Sequence, residues 1–271
     1  MNALSLTLIL TLCHLVVSSP LGSVKETLNK ADESQLVINY LVRYGYVEKG
    51  KSYSNEQVKE GLKKLQNFFS LPETGVVDEA TLELMKAPRC GVPDIITNRN
   101  RYVIGSPGFN KKQLTYKVGR YSPKLTDQEV DENVKLALDM WGVNSTLTFS
   151  KVDENPDLMI DFVQRVHNDS FPFDGPGHVL AHAFYPKDSK RGGDLHYDEE
   201  EDWKILDSPL VPGIDFFSVS LHELGHSLGL AHSPIRAAVM YAKYQYIYKD
   251  VGLHEDDKLG IHQIYVLGGK P

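Results

Sequence analysis

Cysteine is almost absent from this chain, since only Cys13 and Cys90 occur among its 271 residues. Cys13 lies in an N-terminal segment that we expect to be removed, so Cys90 is left without a partner for an intramolecular disulfide. A disulfide framework is therefore excluded. An odd cysteine in an exported protein suggests pairing between chains, a reactive thiol or a metal ligand.

Basic runs and long apolar segments are also scarce. No run of Lys and Arg is long enough to indicate nucleic acid or an anionic membrane as a partner. The net charge is −7 and the pI about 5.8, and acidic residues cluster in DLHYDEEED, residues 194–202. This mild acidity fits either solubility or bound calcium. The sequence also has no internal repeat and no low-complexity tract.

The N-terminal segment MNALSLTLILTLCHLVVSS is typical of a signal peptide. It is apolar from Leu4 to Val17, small residues follow, and it is too short to span a bilayer comfortably. We expect cleavage between Ser18 and Gly22 and a secreted protein without a membrane anchor. A buried N-terminal helix is the alternative. The glycosylation sequon at Asn144 is compatible with secretion.

The pattern along the chain predicts two structured regions joined by a linker. Residues 23–87 contain three helical segments with one apolar face each, and we expect Asn55 and Asp78 to cap the second and third. Proline and glycine interrupt residues 88–112, where Arg99 and Arg101 would be open to an extracellular protease. Residues 113–271 mix strands with amphipathic helices, so the sequence predicts an α+β fold.

The strongest chemical signal is HELGHSLGLAH, residues 222–232. On a helix, the spacing of His222 and His226 places two imidazoles on one face, where both can bind one metal. Gly229 can turn the chain so that His232 becomes a third ligand. Three protein ligands leave a fourth position for water, as in catalytic zinc sites, and Glu223 is placed to act as general base. HExxH alone occurs by chance, whereas the extended motif is specific.

The extended motif, with Ser233 after it and Met240 in AVMY, resembles the metzincin clan and, within it, the matrix metalloproteinases. YLVRYGY, LQNFFSLPETGVVDEATLELM and PRCGVPD resemble the propeptide of that family. DLMIDF, FPFDGPGHVLAHAF, GGDLHYDEEEDW and HEDDKLGIHQIY resemble its catalytic domain. The resemblance implies a structural role for Met240 beneath the zinc.

The resemblance also implies a domain order. It consists of a signal peptide (1–19), a three-helix propeptide (20–101) with a cysteine switch at 88–94, and a catalytic domain (102–271). The catalytic domain is expected to hold a twisted, mostly parallel five-stranded sheet and three helices. The chain stops soon after IHQIYVLGGKP, so we expect a matrilysin-like architecture that lacks a hemopexin-like domain.

The same resemblance assigns a role to Cys90. Its thiolate would occupy the fourth position of the catalytic zinc and keep water out until the propeptide is removed. A buried or dimer-forming thiol is the alternative. We expect a trypsin-like protease to cleave near Tyr102, and the new N-terminal amine to pair with Asp256.

Further metal sites are implied by resemblance. Three imidazoles and one carboxylate would form a closed structural zinc site. Its ligands are His167, Asp169, His182 and His196. A first calcium site would combine carboxylates with backbone carbonyls. Its residues are Asp174, Gly175, Gly177, Val179, Asp198 and Glu201.

A second calcium site is expected in and near the loop PKDSKRGG. Its ligands would be Asp157, Lys190, Gly192 and Asp194. Two lysines and an arginine near a cation are unfavourable, so an ordinary charged surface loop is the alternative.

The substrate cleft is also placed by resemblance. Its pocket walls would be Leu180, Val219, His222 and Tyr244, with the Ala183 carbonyl contacting an extended substrate. Two features depart from the family: Ala242 replaces a usual proline, which should loosen the wall, and Ser218 is small, which predicts a deep pocket.

These expectations together describe a secreted zinc endopeptidase (EC 3.4.24 class), acting on extracellular matrix proteins such as collagen. Its expected partners are protein substrates, an activating protease and metalloproteinase inhibitors, and the chain is expected to be monomeric. An inert metal-binding scaffold of the same fold is one alternative, which Glu223 and the intact histidines disfavour. An astacin-like protease is another, which Ser233 and PRCGVPD disfavour.

Overall fold

The structure, a computed structural model, describes residues 30–96, 104–188 and 190–268. The predicted signal peptide (1–19), Arg99, Arg101 and the predicted cleavage point near Tyr102 lie outside these residues. Within them, no helix combines the length and apolar character needed to cross a membrane.

The N-terminal region is a three-helix bundle, as predicted. Its helices are α1 (Lys30–Arg43), α2 (Asn55–Phe68) and α3 (Glu79–Lys86). Asp78 caps α3 by accepting a hydrogen bond from the Thr81 amide. The prediction of Asn55 as the cap of α2 is wrong. Ser54 caps that helix through a reciprocal pair with Gln57, so Asn55 is its first helical residue.

The C-terminal region is built on a twisted sheet. Its elements are β2 (Gln113–Arg120), α4 (Asp127–Ser145), β3 (Thr148–Lys151), β4 (Leu158–Val163), β5 (Val179–Ala183), β6 (Leu195–Asp198), β7 (Trp203–Lys204), β8 (Ile214–Asp215), α5 (Phe216–Ser227) and α6 (Glu255–Tyr265). The five strands β2 to β6 are parallel except for the antiparallel pair β5 and β6. The predicted sheet and its three helices are therefore confirmed, and β7 and β8 form a small separate pair.

A sixth strand comes from the N-terminal region. Strand β1 (Arg89–Cys90) pairs in parallel with β5 at the edge of the sheet, giving the order β1-β5-β6-β4-β2-β3. Ala242 of the C-terminal region packs into the core of the helical bundle, together with residues such as Leu41 and Leu65. The two regions thus share both a sheet and a hydrophobic contact.

Helices α4 and α5 are fixed to each other in the main core. Trp141 of α4 is fully buried, and its indole nitrogen donates to the carbonyl of Leu221 at 2.9 Å. The buried Asp257 of α6 accepts hydrogen bonds from the amides of Val239 and Met240. These contacts hold α5 and the turn after it in place, which are the elements that carry the predicted catalytic residues.

Candidate metal centres

Helix α5 presents the first two histidines of the motif. Asp215 caps its first turn by accepting from the Ser218 amide at 2.9 Å. The helix ends at Ser227, and Gly229 follows with φ of 110°. A side chain at Gly229 would lie 2.8 Å from the carbonyl oxygen of Ser106, so glycine is required there for both reasons. The turn returns His232 to the same face as His222 and His226.

The three histidines converge with Cys90. The His232 Nε2 lies 3.3 Å from the His222 Nε2 and 3.1 Å from the His226 Nε2. One ligand atom from each of the four residues lies within 4.8 Å of the others, and all four residues are buried. We call these residues the first metal cluster. Three imidazole nitrogens and a sulfur are a suitable donor set for zinc.

The other ring nitrogens of His222 and His226 are engaged by backbone carbonyls, and that of His232 lies close to a carboxylate. The Nδ1 atoms of His222 and His226 lie 2.7 Å from the carbonyl oxygens of Val239 and Leu230. The Nδ1 of His232 lies 2.7 Å from a carboxylate oxygen of Asp94. Such contacts fix ring orientation and direct Nε2 to a metal. Burial, followed by repulsion from His232, lowers the pKa of His222 to about 3, so its neutral, metal-binding form is favoured.

The carboxylate of Glu223 lies beside this cluster and is unusual because it is buried. Neither of its oxygens has a hydrogen-bond partner of good geometry among the described residues. Burial raises its pKa to about 8, and burial followed by the nearby Glu223 charge raises the pKa of the Cys90 thiol. A buried carboxylate without a partner is costly and suggests that a bound group normally satisfies it. The site therefore fits a metal ion bound by the three histidines, with the Glu223 carboxylate close beside it.

Backbone hydrogen bonds hold Cys90 in the cluster from two sides. The amides of Arg89 and Gly91 donate to the carbonyls of His178 and Ala181, at 2.6 and 2.8 Å. On the other side, the Cys90 amide donates to Ala242 at 3.1 Å, and the Tyr244 amide donates to Pro88 at 2.9 Å. Residues 88–91 therefore fill a slot, which we call the peptide slot, between β5 and residues 242–244.

A buried ion pair stabilises the segment that carries Cys90. The Arg89 guanidinium donates to both carboxylate oxygens of Asp94, at 2.5 and 3.1 Å, and Tyr46 donates to Asp94 at 2.6 Å. Burial alone would raise the pKa of Asp94, but Arg89 and the nearby His232 hold it below its usual range. The charge-assisted pair closes the loop 89–94 around Cys90.

A second metal cluster is formed by the four residues predicted for the structural zinc. One Asp169 oxygen lies 2.8 Å from His167 Nε2, 2.9 Å from His182 Nε2 and 2.8 Å from His196 Nδ1. The register of the antiparallel pair β5 and β6 places His182 opposite His196, and the loop after β4 supplies the other two. Ligand atoms of all four lie within 4.8 Å of one another. This set needs no ligand from the N-terminal region.

The carboxylates predicted for the first calcium site face one loop. Asp174, Asp198 and Glu201 accept hydrogen bonds from the amides of Val179, Gly175 and Gly177, respectively. Burial, and then repulsion from Asp198 and Asp174, raises the pKa of Glu201 to about 7. A cation would relieve this repulsion. The backbone carbonyl of Asp174 accepts a hydrogen bond from the Arg165 guanidinium at 2.7 Å.

The residues predicted for the second calcium site have other partners. The Asp157 carboxylate lies 2.7 Å from the Lys111 ammonium and accepts from the Thr115 amide at 2.7 Å. The Lys190 amide donates to Asp188, whereas Gly192 packs against the carbonyls of Pro186 and Asp188. Burial raises the pKa of Asp194. Calcium at these residues stays a prediction.

A narrow cavity adjoins the first metal cluster. Leu180, Val219, His222 and Tyr244 line it as predicted, and its volume is about 20 Å³ with residues 88–91 in place. Ser218 accepts from the Ile247 amide at 2.8 Å and donates to Asp215 at 2.6 Å, so residues 244–247 are held across its end. The depth of the pocket with substrate stays a prediction.

Two more predicted residues are placed by contacts around the first cluster. A Cβ atom added at Gly225 would lie 2.3 Å from the sulfur of Met240. Met240 therefore packs directly against α5, between the two histidines of that helix. Asp256 accepts from the Ser233 hydroxyl at 2.7 Å. The Ala183 carbonyl lies on β5 beside the peptide slot. Sequence reasoning missed Asp215, although an Asp immediately before a helical apolar run is a recognisable cap.

Comparison with known families gives two matches that together cover both regions. A family model described as matrixin matches residues 108–266, and one described as a putative peptidoglycan binding domain matches residues 30–85. The second match spans the three-helix bundle. The matrixin match covers the sheet β2 to β6, both predicted zinc clusters except Cys90, and helices α4 to α6.

Curated relatives agree with these matches. The chain is 40% identical to matrilysin of Mus musculus over 84% of each chain. It is 40% identical to interstitial collagenase of Sus scrofa over 96% of this chain and 55% of the relative, and 37% identical to matrix metalloproteinase-25 of Homo sapiens over 87% and 45%. The chain thus spans about half the length or less of several relatives that it matches.

The family implies zinc, for which the first metal cluster offers buried ligands. The matched regions, the histidine motif on α5 and the identity to these metalloproteinases place this chain in the matrixin family.

Proposed function

We propose that this chain is a secreted zinc-dependent endopeptidase, made as a latent zymogen, that cleaves extracellular matrix or other extracellular proteins. One observation carries the proposal: Cys90 meets His222, His226 and His232 beside the buried carboxylate of Glu223. The names of relatives such as interstitial collagenase support a protein substrate of the matrix. Secretion rests on the signal-like segment 1–19.

The first cluster would hold the catalytic zinc through its three histidines, with Cys90 as the fourth ligand in the latent form. Bound zinc would supply a Lewis acid for the scissile carbonyl and lower the pKa of a water. Glu223 takes a proton from the attacking water and then gives it to the leaving amine, because its side chain lines the same cavity as His222 and Cys90. The slot between β5 and residues 242–244 holds the substrate as an added strand, because its backbone groups already pair with residues 88–91.

Latency follows from the same contacts. While residues 88–91 occupy the slot, neither substrate nor water can reach the first cluster. Removal of the N-terminal region would free both the slot and the fourth ligand position. We infer that a protease cleaves near Tyr102, that the new amine pairs with Asp256, and that inhibitors of the metalloproteinase type bind the freed cleft.

The second cluster would hold a structural zinc, because its carboxylate and three imidazoles close the coordination set. Calcium would bind among Asp174, Asp198 and Glu201, where the mutual repulsion of the carboxylates favours a divalent cation.

The test is cleavage of a quenched peptide with Leu after the scissile bond, using the chain before and after a thiol-reactive mercurial. We expect activity only after the mercurial, loss with a chelator, and a loss of roughly 10³-fold in Glu223→Ala with zinc content unchanged. Glu223→Gln is the matched variant that keeps the side-chain size.

The competing function is an inert metal-binding scaffold of the same fold. Two bound zinc ions with no peptide cleavage after the mercurial would support that scaffold and reject the endopeptidase. Full activity in Glu223→Ala would reject the proposed role of Glu223.

A further inference from the structure

Lys243 is a buried lysine in the wall of the peptide slot. It is 6% exposed, and no carboxylate lies within ion-pair distance of it in the described part of the chain. Its Nζ atom donates to the Tyr40 hydroxyl at 3.0 Å and to the Ala87 carbonyl at 3.3 Å. It also lies 5.3 Å from the ring centre of Tyr40 and 5.8 Å from that of Phe69. All of these partners belong to the N-terminal region.

Lys243 lies directly opposite Arg89 in an antiparallel bridge. The flanking hydrogen bonds, from Cys90 to Ala242 and from Tyr244 to Pro88, define a pair that is not itself hydrogen-bonded. Side chains of such pairs lie on one face and close together. Two cations opposite each other repel. Here Asp94 neutralises Arg89, and burial lowers the pKa of Lys243 to about 6, so its neutral form predominates near pH 7 and the repulsion is avoided.

Removal of the N-terminal region takes away Asp94 and every partner described above. The Lys243 ammonium is then left beside an empty peptide slot. A peptide that enters the slot presents side chains alternately inward and outward. The side chain that fills the cavity lined by Leu180 and Val219 points inward, so its neighbour in the strand points outward, on the face of Lys243.

We propose that Lys243 is a specificity-determining residue that selects Glu or Asp at the second residue after the scissile bond. The inference rests on the proposed endopeptidase function and names a substrate class for it. A basic side chain at that position would face the Lys243 ammonium without a neighbouring negative charge such as Asp94, so the two cations would repel each other. An acidic one would replace Asp94 as the source of negative charge.

The test uses three quenched peptides that differ only at this position, with Glu, Gln or Lys, and the mercurial-treated chain. We expect kcat/KM for Glu to exceed that for Gln by about threefold, the range of an exposed ion pair. Glu should exceed Lys by roughly tenfold, because attraction is replaced by repulsion. The difference should lie in KM, since the contact is equal in ground and transition states, and it should shrink in 0.5 M salt, a condition chosen to screen charges.

Variants assign the preference to Lys243. Lys243→Met should give similar kcat/KM for Glu and Gln, and Lys243→Arg should keep the preference for Glu. Lys187→Met is the matched control, because it removes an exposed lysine that lines a cavity on the other side of Cys90, along Ala183 and Phe184. That variant should keep the wild-type ratio.

Two results would overturn the inference: equal cleavage of the Glu and Gln peptides by the wild-type chain, or a preference for Glu that persists in Lys243→Met. No cleavage of any peptide would instead reject the proposed function itself, so the two failures are distinguishable.

Discussion

The two metal clusters of this chain use similar donors but differ in where the fourth ligand originates. The first takes three imidazoles from α5 and its following turn, and a thiol from β1. The second takes three imidazoles and a carboxylate from β5, β6 and the loop between β4 and β5. Under the proposed function, the first set would lose a ligand when the N-terminal region is removed, whereas the second would stay complete.

The groups that orient the histidine rings also differ between the two clusters in where they come from. In the first, Val239 and Leu230 hold two rings through backbone carbonyls that remain after the N-terminal region is removed. Its third ring is close to Asp94, which leaves with Cys90. In the second, Asp169 contacts all three rings itself. Under the proposed function, the first cluster would be catalytic and the second structural because only the first takes a ligand from the N-terminal region.

Removing the thiol tests this difference with the largest expected effect. In Cys90→Ala, residues 88–91 lose their bond to the metal and leave the slot more often, so substrate and water can both enter, and peptide cleavage before the mercurial should rise at least tenfold above the wild-type level. The measurement is the ratio of activity before and after the mercurial, which should approach one.

Cys90→Ser and Asp169→Asn are the controls. Serine keeps the size of the side chain but is a poorer zinc ligand, so its ratio should lie between those of the wild type and Cys90→Ala. Asp169→Asn should retain the mercurial dependence, since it alters only the second cluster. Full latency in Cys90→Ala would mean that the bundle alone blocks the slot.

Weakening the second cluster should affect stability rather than latency. Asp169→Asn removes the charge that contacts His167, His182 and His196. We expect bound zinc to fall from two ions to one per chain. A loss of about 3 kcal/mol in the free energy of unfolding would lower Tm by roughly 6–12 °C for a unit of this size. Zinc analysis and thermal denaturation measure the two effects.

An unchanged zinc content in Asp169→Asn, with unchanged Tm, would contradict a metal at the second cluster. Asp202→Asn is a suitable control, because that exposed carboxylate forms an ion pair on the surface with the exposed Lys204. Its effect should stay within about 0.5 kcal/mol.

The first cluster was predictable from sequence because its histidines are close along the chain. Helical spacing joins His222 to His226, and the left-handed turn at Gly229 needs no distant contact to bring back His232. The second cluster was predicted only through family resemblance. Its ligands come from separate segments, and the opposition of His182 and His196 depends on strand register, which no local pattern specifies.

The surroundings of Lys243 were not predictable from sequence in this way. Its amine partners are Tyr40, 203 residues away, and Ala87, 156 residues away. The sixth strand was missed for a related reason: two residues, Arg89 and Cys90, are too few to show strand periodicity. By contrast, Ala242 was noted as unusual, but only the structure shows it packed into the core of the helical bundle.

The last expected effect concerns how pH changes the strength with which the N-terminal region binds over the first cluster. Burial, and then Arg89, lowers the pKa of Lys243 to about 6, whereas an exposed lysine titrates near 10.5. Docking therefore releases a proton between these two pH values. The N-terminal region should therefore bind the catalytic region less tightly as the pH falls from 9 to about 6. Below about pH 6, Lys243 should cause no further loss of binding.

Other charged groups facing Lys243 do not titrate in this window. Arg89 stays charged, the pKa of Asp94 is held below its usual range, and burial raises the pKa of Tyr40. The measured quantity is the rate at which a thiol reagent modifies Cys90. At each pH, the rate for the wild type is divided by the rate for Lys243→Met. The ratio cancels the titration of the thiol and of the cluster histidines. It should rise as the pH falls, by at most tenfold per unit, and level off near pH 6. A ratio independent of pH would show that Lys243 keeps its proton when the N-terminal region is docked.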